Sequence, residues 1–296
     1  MGKALDRVSI LTGVSIDMDA AAAARLADKE ICFRADDVDA WDILSLLSWM
    51  GEFRYGIQGG RVLVFSDEAY VGADLPAEKE PGPLTRLGRN AQGVEQFRHE
   101  PTGIVFVRVP PGEFDAGSPE DEFGHTWDEA RRHVKIEKSF LLSRTPVTNE
   151  QFRRFAVRRP LQPGHTSGKL KDVDLNGDDS PVVLVSVPEI AAFSRTEGLR
   201  LPTEEEWEYV ARGGDARLFP WGDAWPPPSR TEGSAANPFG VRDLGRVWEC
   251  CGGAELRGGA WCISRPSLLR CAKRLAYDDG AGDRSVGFRV ALDAPE

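Results

Sequence analysis

The stretch RLPTEEEWEYVARGG (Arg200–Gly214) decides the fold of this chain. Thr203 and Glu206 stand three residues apart, which is the spacing of a capping box at the start of a helix. Gly213 follows the last apolar residue and provides a common helix end. The apolar residues between these ends share one helix face: Trp207, Val210 and Ala211. The stretch therefore predicts a short helix that packs one face against a core.

Two more capping boxes precede this helix in the chain. Thr148 with Gln151 begins TNEQFRRFAV, and Ser186 with Glu189 begins SVPEIAAFSRTEG, which Gly198 ends. In each box the hydroxyl and the longer side chain satisfy backbone N–H groups that the first helical turn leaves without partners. These patterns predict two further short helices.

Alternating apolar residues predict strands on both sides of the helices. The runs GIVFVRVPPGEF (103–114) and HVKIEKSFLLSR (133–144) lie before them, and VGFRVAL (286–292) predicts one final strand. The chain between the last helix and that strand is rich in Gly, Pro and Trp, which is typical of long loops pinned by aromatic side chains.

Length and charge exclude several classes of protein. The chain has 296 residues and a formal net charge of −10, whereas phosphate backbones are bound by clustered Lys and Arg. No apolar run approaches the roughly 18 residues of a membrane helix. The first residues, MGKALDRV, lack the long apolar stretch of a secretion signal. We expect a soluble, cytoplasmic protein without nucleic-acid or membrane partners.

The composition changes between residues 73 and 102. Prolines stand there among charges and glycines without a sustained period: Pro76, Pro81, Pro83 and Pro101. Such a stretch is typical of a linker. We therefore expect a small domain at residues 1–72, a linker at 73–102 and the main domain at 103–296.

Residues 1–72 carry a compact α+β pattern. Alternating runs at 14–19 and 30–37 predict strands, DAWDILSLLSWMG (39–51) predicts a helix, and Gln58-Gly59-Gly60 predicts a hairpin turn. This order resembles the small secretin/TonB short N-terminal domain. The resemblance implies an interaction module that binds a protein partner.

A series of specific motifs appears in order after the linker: PPGEFDAGS (110–118), TPVTNEQFRRF (145–155), RLPTEEEWEYVARGG, FPWGD (219–223), LRGGAW (256–261) and VGFRV (286–290). Together they resemble the formylglycine-generating enzyme family, also called sulfatase-modifying factor domains, over about residues 103–292. The resemblance implies an α+β, loop-rich, C-type-lectin-like fold. It also implies that Arg270 and Arg289 are structural and paired with acids. Arg200, Glu205 and Glu208 are expected to lie in a buried polar network around the second or third helix.

The resemblance implies copper chemistry at one cysteine pair. Active members of the family oxidise a cysteine of a sulfatase to formylglycine with copper(I), held by two cysteines spaced C-x-x-x-x-C after a GGS-aromatic motif. Cys262 occupies the first position, which makes it the catalytic candidate, but Ser267 occupies the second. A serine hydroxyl is a poor ligand for copper(I), which prefers soft sulfur donors. Cys271 lies nine residues after Cys262 and matches a different family position.

Family members also bind calcium through oxygen ligands near a GNVWEW motif. Here the resemblance implies the carboxylates of Asp243 and Glu249 with the backbone carbonyls of Gly245 and Val247. Arg246 replaces the usual asparagine and places a cation beside these ligands. Calcium is therefore a possible cofactor, and copper a cofactor only of an active oxidase.

These departures favour a recognition scaffold that has lost catalysis. Its predicted surface, the Ala260–Ser267 and Leu275–Ser285 loops, would bind a protein or a small molecule. The candidate residues are Trp261, Cys262, Ser264, Arg265, Ser267, Tyr277, Asp278, Asp279, Asp283 and Arg284. Some relatives are hypervariable targets of diversity-generating retroelements and vary this same segment. The alternatives are an active copper-dependent oxidase and an accessory domain of a larger assembly.

Overall fold

The computed structural model describes residues 80–153, 155, 177–225, 236–252, 255–277 and 284–295, together with the backbones of three earlier strands. The chain divides into two compact units, residues 1–75 and 76–296. In the described part, the second unit is mostly β-sheet and loop with few helices, as expected for the family that the motifs indicated.

The first unit contains a three-stranded sheet. Strand β1 (Ile16–Met18) pairs in parallel with β3 (Arg61–Ser66), which pairs antiparallel with β2 (Phe53–Gln58). Gln58 faces Arg61 across the turn, so the predicted hairpin is confirmed. The strand predicted at 30–37 and the helix predicted at 39–51 lie outside the described residues.

The second unit is built on two larger sheets and a hairpin. Its strands β4 to β9 are Leu84–Arg89, Glu95–His99, Val105–Val109, Gly112–Ala116, Arg132–Ile136 and Phe140–Ser143. Its strands β10 to β14 are Trp248–Cys251, Glu255–Arg257, Arg274–Ala276, Val286–Phe288 and Ala291–Asp293. The sheet orders are β14-β9-β6-β5-β4 and β12-β11-β10-β13, and β7 pairs with β8.

Part of the predicted linker is a sheet edge. Within residues 73–102, strands β4 and β5 pair with each other, and β5 pairs with β6 of the main domain. The linker prediction is wrong there because β4 is an edge strand whose side chains are mostly exposed, so it shows no alternating apolar pattern. Strand β5 buries Phe97 and His99 and belongs to the core.

The predicted final strand VGFRVAL is divided between the two sheets. Val286–Phe288 pairs in parallel with β10, whereas Ala291–Asp293 pairs antiparallel with β9. The break falls at Arg289, whose fully buried side chain points to Glu249 instead of continuing a ladder. The prediction of one strand was wrong because a buried ion pair interrupts the apolar run.

All three predicted helices are present. Helix α1 is Asn149–Arg153, α2 is Val187–Thr196 and α3 is Glu204–Arg212. Both partners of each capping box are bonded: Thr148 with Gln151, Ser186 with Glu189, and Thr203 with Glu206. Gly213 ends α3 at φ 65°, a left-handed conformation. Local sequence therefore determined where these helices begin.

The apolar core has two clusters. One contains the aromatic group Phe152, Phe193 and Phe288, in which the first two rings stack with centroids 5.4 Å apart. The other surrounds Trp207 and the buried face of α3. Among the helices that the structure describes, none has the length and hydropathy needed to cross a bilayer.

Candidate functional site

Helix α3 positions the start of the candidate loop through Trp207. This fully buried indole packs so closely on Gly258 that a Cβ there would lie 2.7 Å from its Cζ2 atom. Gly258 has φ 92° and Gly259 φ 73°, values that favour glycine. The twin glycines therefore carry the chain across the tryptophan and into Ala260.

The loop from Ala260 to Ser267 is anchored at both ends. At its start the Trp261 backbone N–H donates to the Arg246 carbonyl oxygen at 2.9 Å. At its end Pro266–Leu268 forms a 3-10 turn. The fully buried Arg270 donates to the Ser267 carbonyl oxygen at 3.2 Å and forms an ion pair with Glu129 at 2.8 Å. The prediction that Arg270 is structural and paired with acids is confirmed.

The loop places several candidate side chains at the surface. Cys262, Ser264 and Arg265 are exposed, whereas Trp261 and Ser267 are half-buried. Farther along the chain, Tyr277 and Arg284 are half-buried, and the Tyr277 hydroxyl is 3.5 Å from the Val185 carbonyl oxygen. Asp278, Asp279 and Asp283 lie outside the described residues.

The cysteines that the structure describes do not fit a two-thiol copper site. Cys262 is exposed, whereas Cys250, Cys251 and Cys271 are buried. Cys271 packs in the apolar cluster around Trp207, and burial raises the pKa of its thiol to about 12. The thiolate is the form that binds metal, so this burial disfavours Cys271 as a partner of Cys262. Ser267, at the expected second position, supplies only a hydroxyl.

The predicted calcium ligands also do not fit, because Glu249 is already neutralised. Its fully buried carboxylate accepts hydrogen bonds from Arg289 at 2.6 and 2.8 Å and from the Trp207 indole at 2.7 Å. A guanidinium thus supplies the positive charge at this position. Asp243 is buried and has φ 63°, and Gly245 and Val247 would contribute only backbone carbonyl oxygens, as the prediction had it. In the described part of the chain, no group of three or more His, Cys, Asp or Glu side chains could hold a metal ion.

A charged network lies under helix α3, where sequence reasoning expected Arg200, Glu205 and Glu208 to form a polar cluster. Glu208 pairs with Arg212 at 2.7 Å and with Arg257 at 2.5 Å, and all three side chains are buried. Arg200 instead pairs with Glu206 at 2.7 Å, nearer the surface. The prediction of a buried network is therefore right for Glu208, whose partner Arg257 comes from strand β11. It is wrong for Arg200 and Glu205, whose side chains are partly exposed.

Sequence reasoning missed one pocket. A cavity of about 140 Å³ opens beside the start of α3. Charged side chains from distant segments line it: Asp128, Arg132, Glu204, Glu205, Arg257 and Arg274. The one local signal was the run of three glutamates after Thr203, and helix capping alone accounts for acids at that position. Tertiary packing brings the other lining residues together.

Most of the second unit matches a known protein family, in agreement with the order of the motifs and with the fold. Residues 91–294 match the family described as the sulfatase-modifying factor enzyme 1-like domain. This chain belongs to that family. The match begins inside the predicted linker, in keeping with the place of β5 in the main sheet. The resemblance of residues 1–72 to a secretin/TonB domain lies outside the matched residues and stays a prediction.

Two curated relatives illustrate the range of the sulfatase-modifying factor family. The formylglycine-generating enzyme of Mycobacterium tuberculosis (strain ATCC 25618 / H37Rv) is 30% identical over 218 residues, which cover 48% of this chain and 72% of that protein. The inactive C-alpha-formylglycine-generating enzyme 2 of Mus musculus is 31% identical over 176 residues, which cover 46% of this chain and 54% of that protein. The chain thus spans about half the length of the second relative.

Solved structures share the fold of this family member. The structure of PvdO from Pseudomonas aeruginosa has a TM-score of 0.53 at 20% identity and covers 73% of this chain and 100% of its own. Treponema denticola variable protein 1 has a TM-score of 0.51 at 16% identity, covering 71% and 99%. At these identities the likeness concerns the fold alone.

Proposed function

We propose that this sulfatase-modifying factor domain is a non-catalytic recognition scaffold, which binds a protein or small-molecule ligand through the Ala260–Ser267 and Leu275–Ser285 loops. One observation carries the proposal. The exposed Cys262 stands where the family holds its first copper thiol, but Ser267 replaces the second and Cys271 is buried in the core. A single soft ligand at the surface does not assemble a copper(I) site.

The relatives support this proposal in two ways. A similar mouse protein carries the name of an inactive formylglycine-generating enzyme, so the family includes members without that activity. The fold also occurs in a protein named as a Treponema denticola variable protein. We propose a variable recognition surface as one version of the scaffold. A reverse transcriptase and a template repeat beside the gene would support that version, and their absence from the locus would contradict it.

The second candidate function is an active copper-dependent oxidase that converts a protein cysteine to formylglycine. The similarity to the Mycobacterium tuberculosis formylglycine-generating enzyme favours it. It requires Cys262 to recruit another thiol on metal binding. The two candidates differ in one measurable property, namely the affinity of the chain for copper(I).

Copper(I) titration under anaerobic conditions separates the two candidates. We expect wild type and Cys262→Ala to show the same weak, non-stoichiometric binding. The informative control is Ser267→Cys, which restores the C-x-x-x-x-C spacing and should gain one tight copper(I) site. Tight one-to-one binding by the wild type that Cys262→Ala removes would establish the oxidase candidate instead.

For the first unit we propose a role of its own, namely binding a protein partner. Residues 1–75 form their own compact unit, which supports a separate role as a docking module for a protein partner. A pull-down with residues 1–72 alone, compared with residues 76–296, tests this role. Equal capture of the same partners by both pieces would contradict it.

A further inference from the structure

A fully buried histidine lies beside the edge strand of the five-stranded sheet. His99, at the end of β5, has no exposed surface, and its ring meets the Phe106 ring edge-on with centroids 6.5 Å apart. Gly82 approaches the ring so closely that a Cβ there would lie 2.9 Å from the His99 Nε2 atom. The ring is therefore enclosed between a core residue of β6 and the chain that leads into β4.

Only one of the two ring nitrogens of His99 has a hydrogen-bond partner among the residues that the structure describes. The Nδ1 atom lies 2.9 Å from the Thr102 Oγ1 atom, which also accepts a hydrogen bond from the Ile104 N–H. The Nε2 atom is buried and has no partner there. A neutral imidazole tolerates this arrangement, because one of its nitrogens carries no proton. A protonated ring would hold a positive charge and an N–H group without an acceptor, which is costly in a buried position.

The charged groups near His99 do not compensate a protonated ring. Within its own strand and the turn that follows, Arg98 and Glu100 pair with each other at the surface, at 3.1 Å. The groups that other described segments place around the ring are uncharged: Gly82 and Leu84 from the start of β4, Pro101 and Thr102 from the turn, and Phe106 from β6. Burial therefore lowers the pKa of His99, and the negative charge of Glu100 offsets this effect only in part.

Strand β4 is held on the sheet by few buried contacts. Leu84 is half-buried, and the other five residues of the strand are exposed. In the described part of the chain, β4 pairs with β5 alone, and the pairing is irregular between Arg86 and Gly88. Segments with few buried apolar contacts open at a lower free energy than the core. Separation of β4 would carry Gly82 away from the His99 Nε2 atom and open the ring to water.

We propose that His99 is a pH switch, which keeps strand β4 on the sheet while its ring is neutral and releases this strand when its ring is protonated. The stability that neutral His99 gives to β4 is fully present above about pH 6.5, the ordinary pKa of an exposed histidine. It is lost progressively as the pH falls from there towards the lower pKa of the closed state. Release leaves the backbone edge of β5 unpaired, and such an edge can pair with another strand.

Amide hydrogen exchange on the full chain, followed by NMR, tests the pH switch. The Glu100 N–H donates to the Pro83 carbonyl oxygen at 3.0 Å and reports the pairing with β4, whereas the His99 N–H donates to the Ile104 carbonyl oxygen at 2.9 Å and reports the turn before β6. After correction for intrinsic exchange, the Glu100 protection factor should fall by up to about tenfold between pH 7.5 and 5.5, the limit for uptake of one proton. The His99 protection factor should stay constant. An unchanged Glu100 factor, or an equal loss at His99, would overturn the proposal.

Two matched histidine variants show which side chain takes up the proton. His99→Asn keeps a polar atom near the position of Nδ1 for Thr102 but does not titrate, so it should remove the pH dependence of the Glu100 protection factor. His133→Asn removes an exposed histidine of the β7–β8 hairpin and should leave that dependence as in the wild type. A pH dependence that survives in His99→Asn, or disappears in His133→Asn, would overturn the assignment to His99.

The ring signals of His99 in the wild-type chain give a measurement that does not depend on the folding of a variant. In an NMR pH titration, the midpoint of the His99 signals should lie below the ordinary value of about 6.5. A midpoint at or above that value would overturn the proposal, because protonation would then not favour release of β4. The switch involves neither Cys262 nor its loop, so its failure would leave the proposed recognition role as it stands.

Discussion

At the residue scale, the charge of the buried Glu249 carboxylate is balanced by the Arg289 guanidinium. Both side chains are fully buried, and Arg289 also donates to the Ser143 carbonyl oxygen at 2.7 Å. Removing one partner of such a pair leaves a charge in a low-dielectric interior, which costs far more than the pair itself contributes. This pair disfavours the predicted calcium site, and the sequence did not reveal it because sequence shows which acids are near in the chain and not which cation is near in space.

Glu249→Gln should lower the free energy of unfolding by about 3–5 kcal/mol, because it leaves the Arg289 guanidinium uncompensated. Urea denaturation measures the loss. Glu100→Gln, in the exposed pair with Arg98, should leave the free energy of unfolding nearly unchanged, because solvent screens an exposed ion pair. Added calcium should not shift the wild-type midpoint, and a calcium-dependent shift that Glu249→Gln abolishes would contradict the assignment.

Gly258→Ala should be strongly destabilising because two effects combine. The backbone φ of 92° disfavours a side chain, and the new Cβ would collide with the Trp207 ring. Gly88→Ala is a matched control, since Gly88 has φ 94° but nothing within 4 Å of its Cβ position. The control isolates the backbone cost of about 1–3 kcal/mol. Thermal unfolding should show a larger loss for Gly258→Ala, and equal losses would refute the close approach to Trp207.

At the element scale, the three helices and the β2–β3 hairpin could be predicted from the sequence because their signals are local. Capping side chains form hydrogen bonds with backbone groups within one helical turn, so all partners of the interaction are close together in the sequence. Strand β4 was not predicted because its pairing uses backbone hydrogen bonds, which leave no mark in the sequence. Its side chains are mostly exposed, so they show no alternating apolar pattern. The division of VGFRVAL was missed because its cause, Glu249, lies 40 residues away.

Thr203→Ala should lower the free energy of unfolding by about 1 kcal/mol through the loss of the capping box of α3. Thr203→Ser retains the hydroxyl and should recover most of this stability. Chemical denaturation of the two variants provides the measurement. If the alanine and serine variants were equally destabilised, the hydroxyl would not be the capping group.

At the scale of the whole molecule, the position of the domain boundary decides whether a fragment contains every strand of the five-stranded sheet. Residues 76–296 retain the five-stranded sheet, whereas residues 103–296, the domain expected from sequence, lack β4 and β5. Without β5 the core loses Phe97, and strand β6 becomes an exposed edge. Exposed edges favour aggregation.

We expect residues 76–296 to unfold cooperatively, with a midpoint close to that of the corresponding transition in the full chain. Residues 103–296 should be destabilised by at least about 3–5 kcal/mol, the cost of removing one buried phenylalanine. Thermal unfolding and size-exclusion chromatography report both outcomes. A stable, monomeric 103–296 fragment would restore the linker interpretation.

By itself, the sequence determined the family, the helix starts and the twin glycines Gly258 and Gly259, because these depend on residues close together in the chain. It also located Cys262 and the serine in place of its partner. Only the tertiary structure decided which acid meets which arginine, which cysteines are buried and where the charged pocket lies. Burial and long-range charge pairing depend on segments that meet only after folding, so no local pattern contains them.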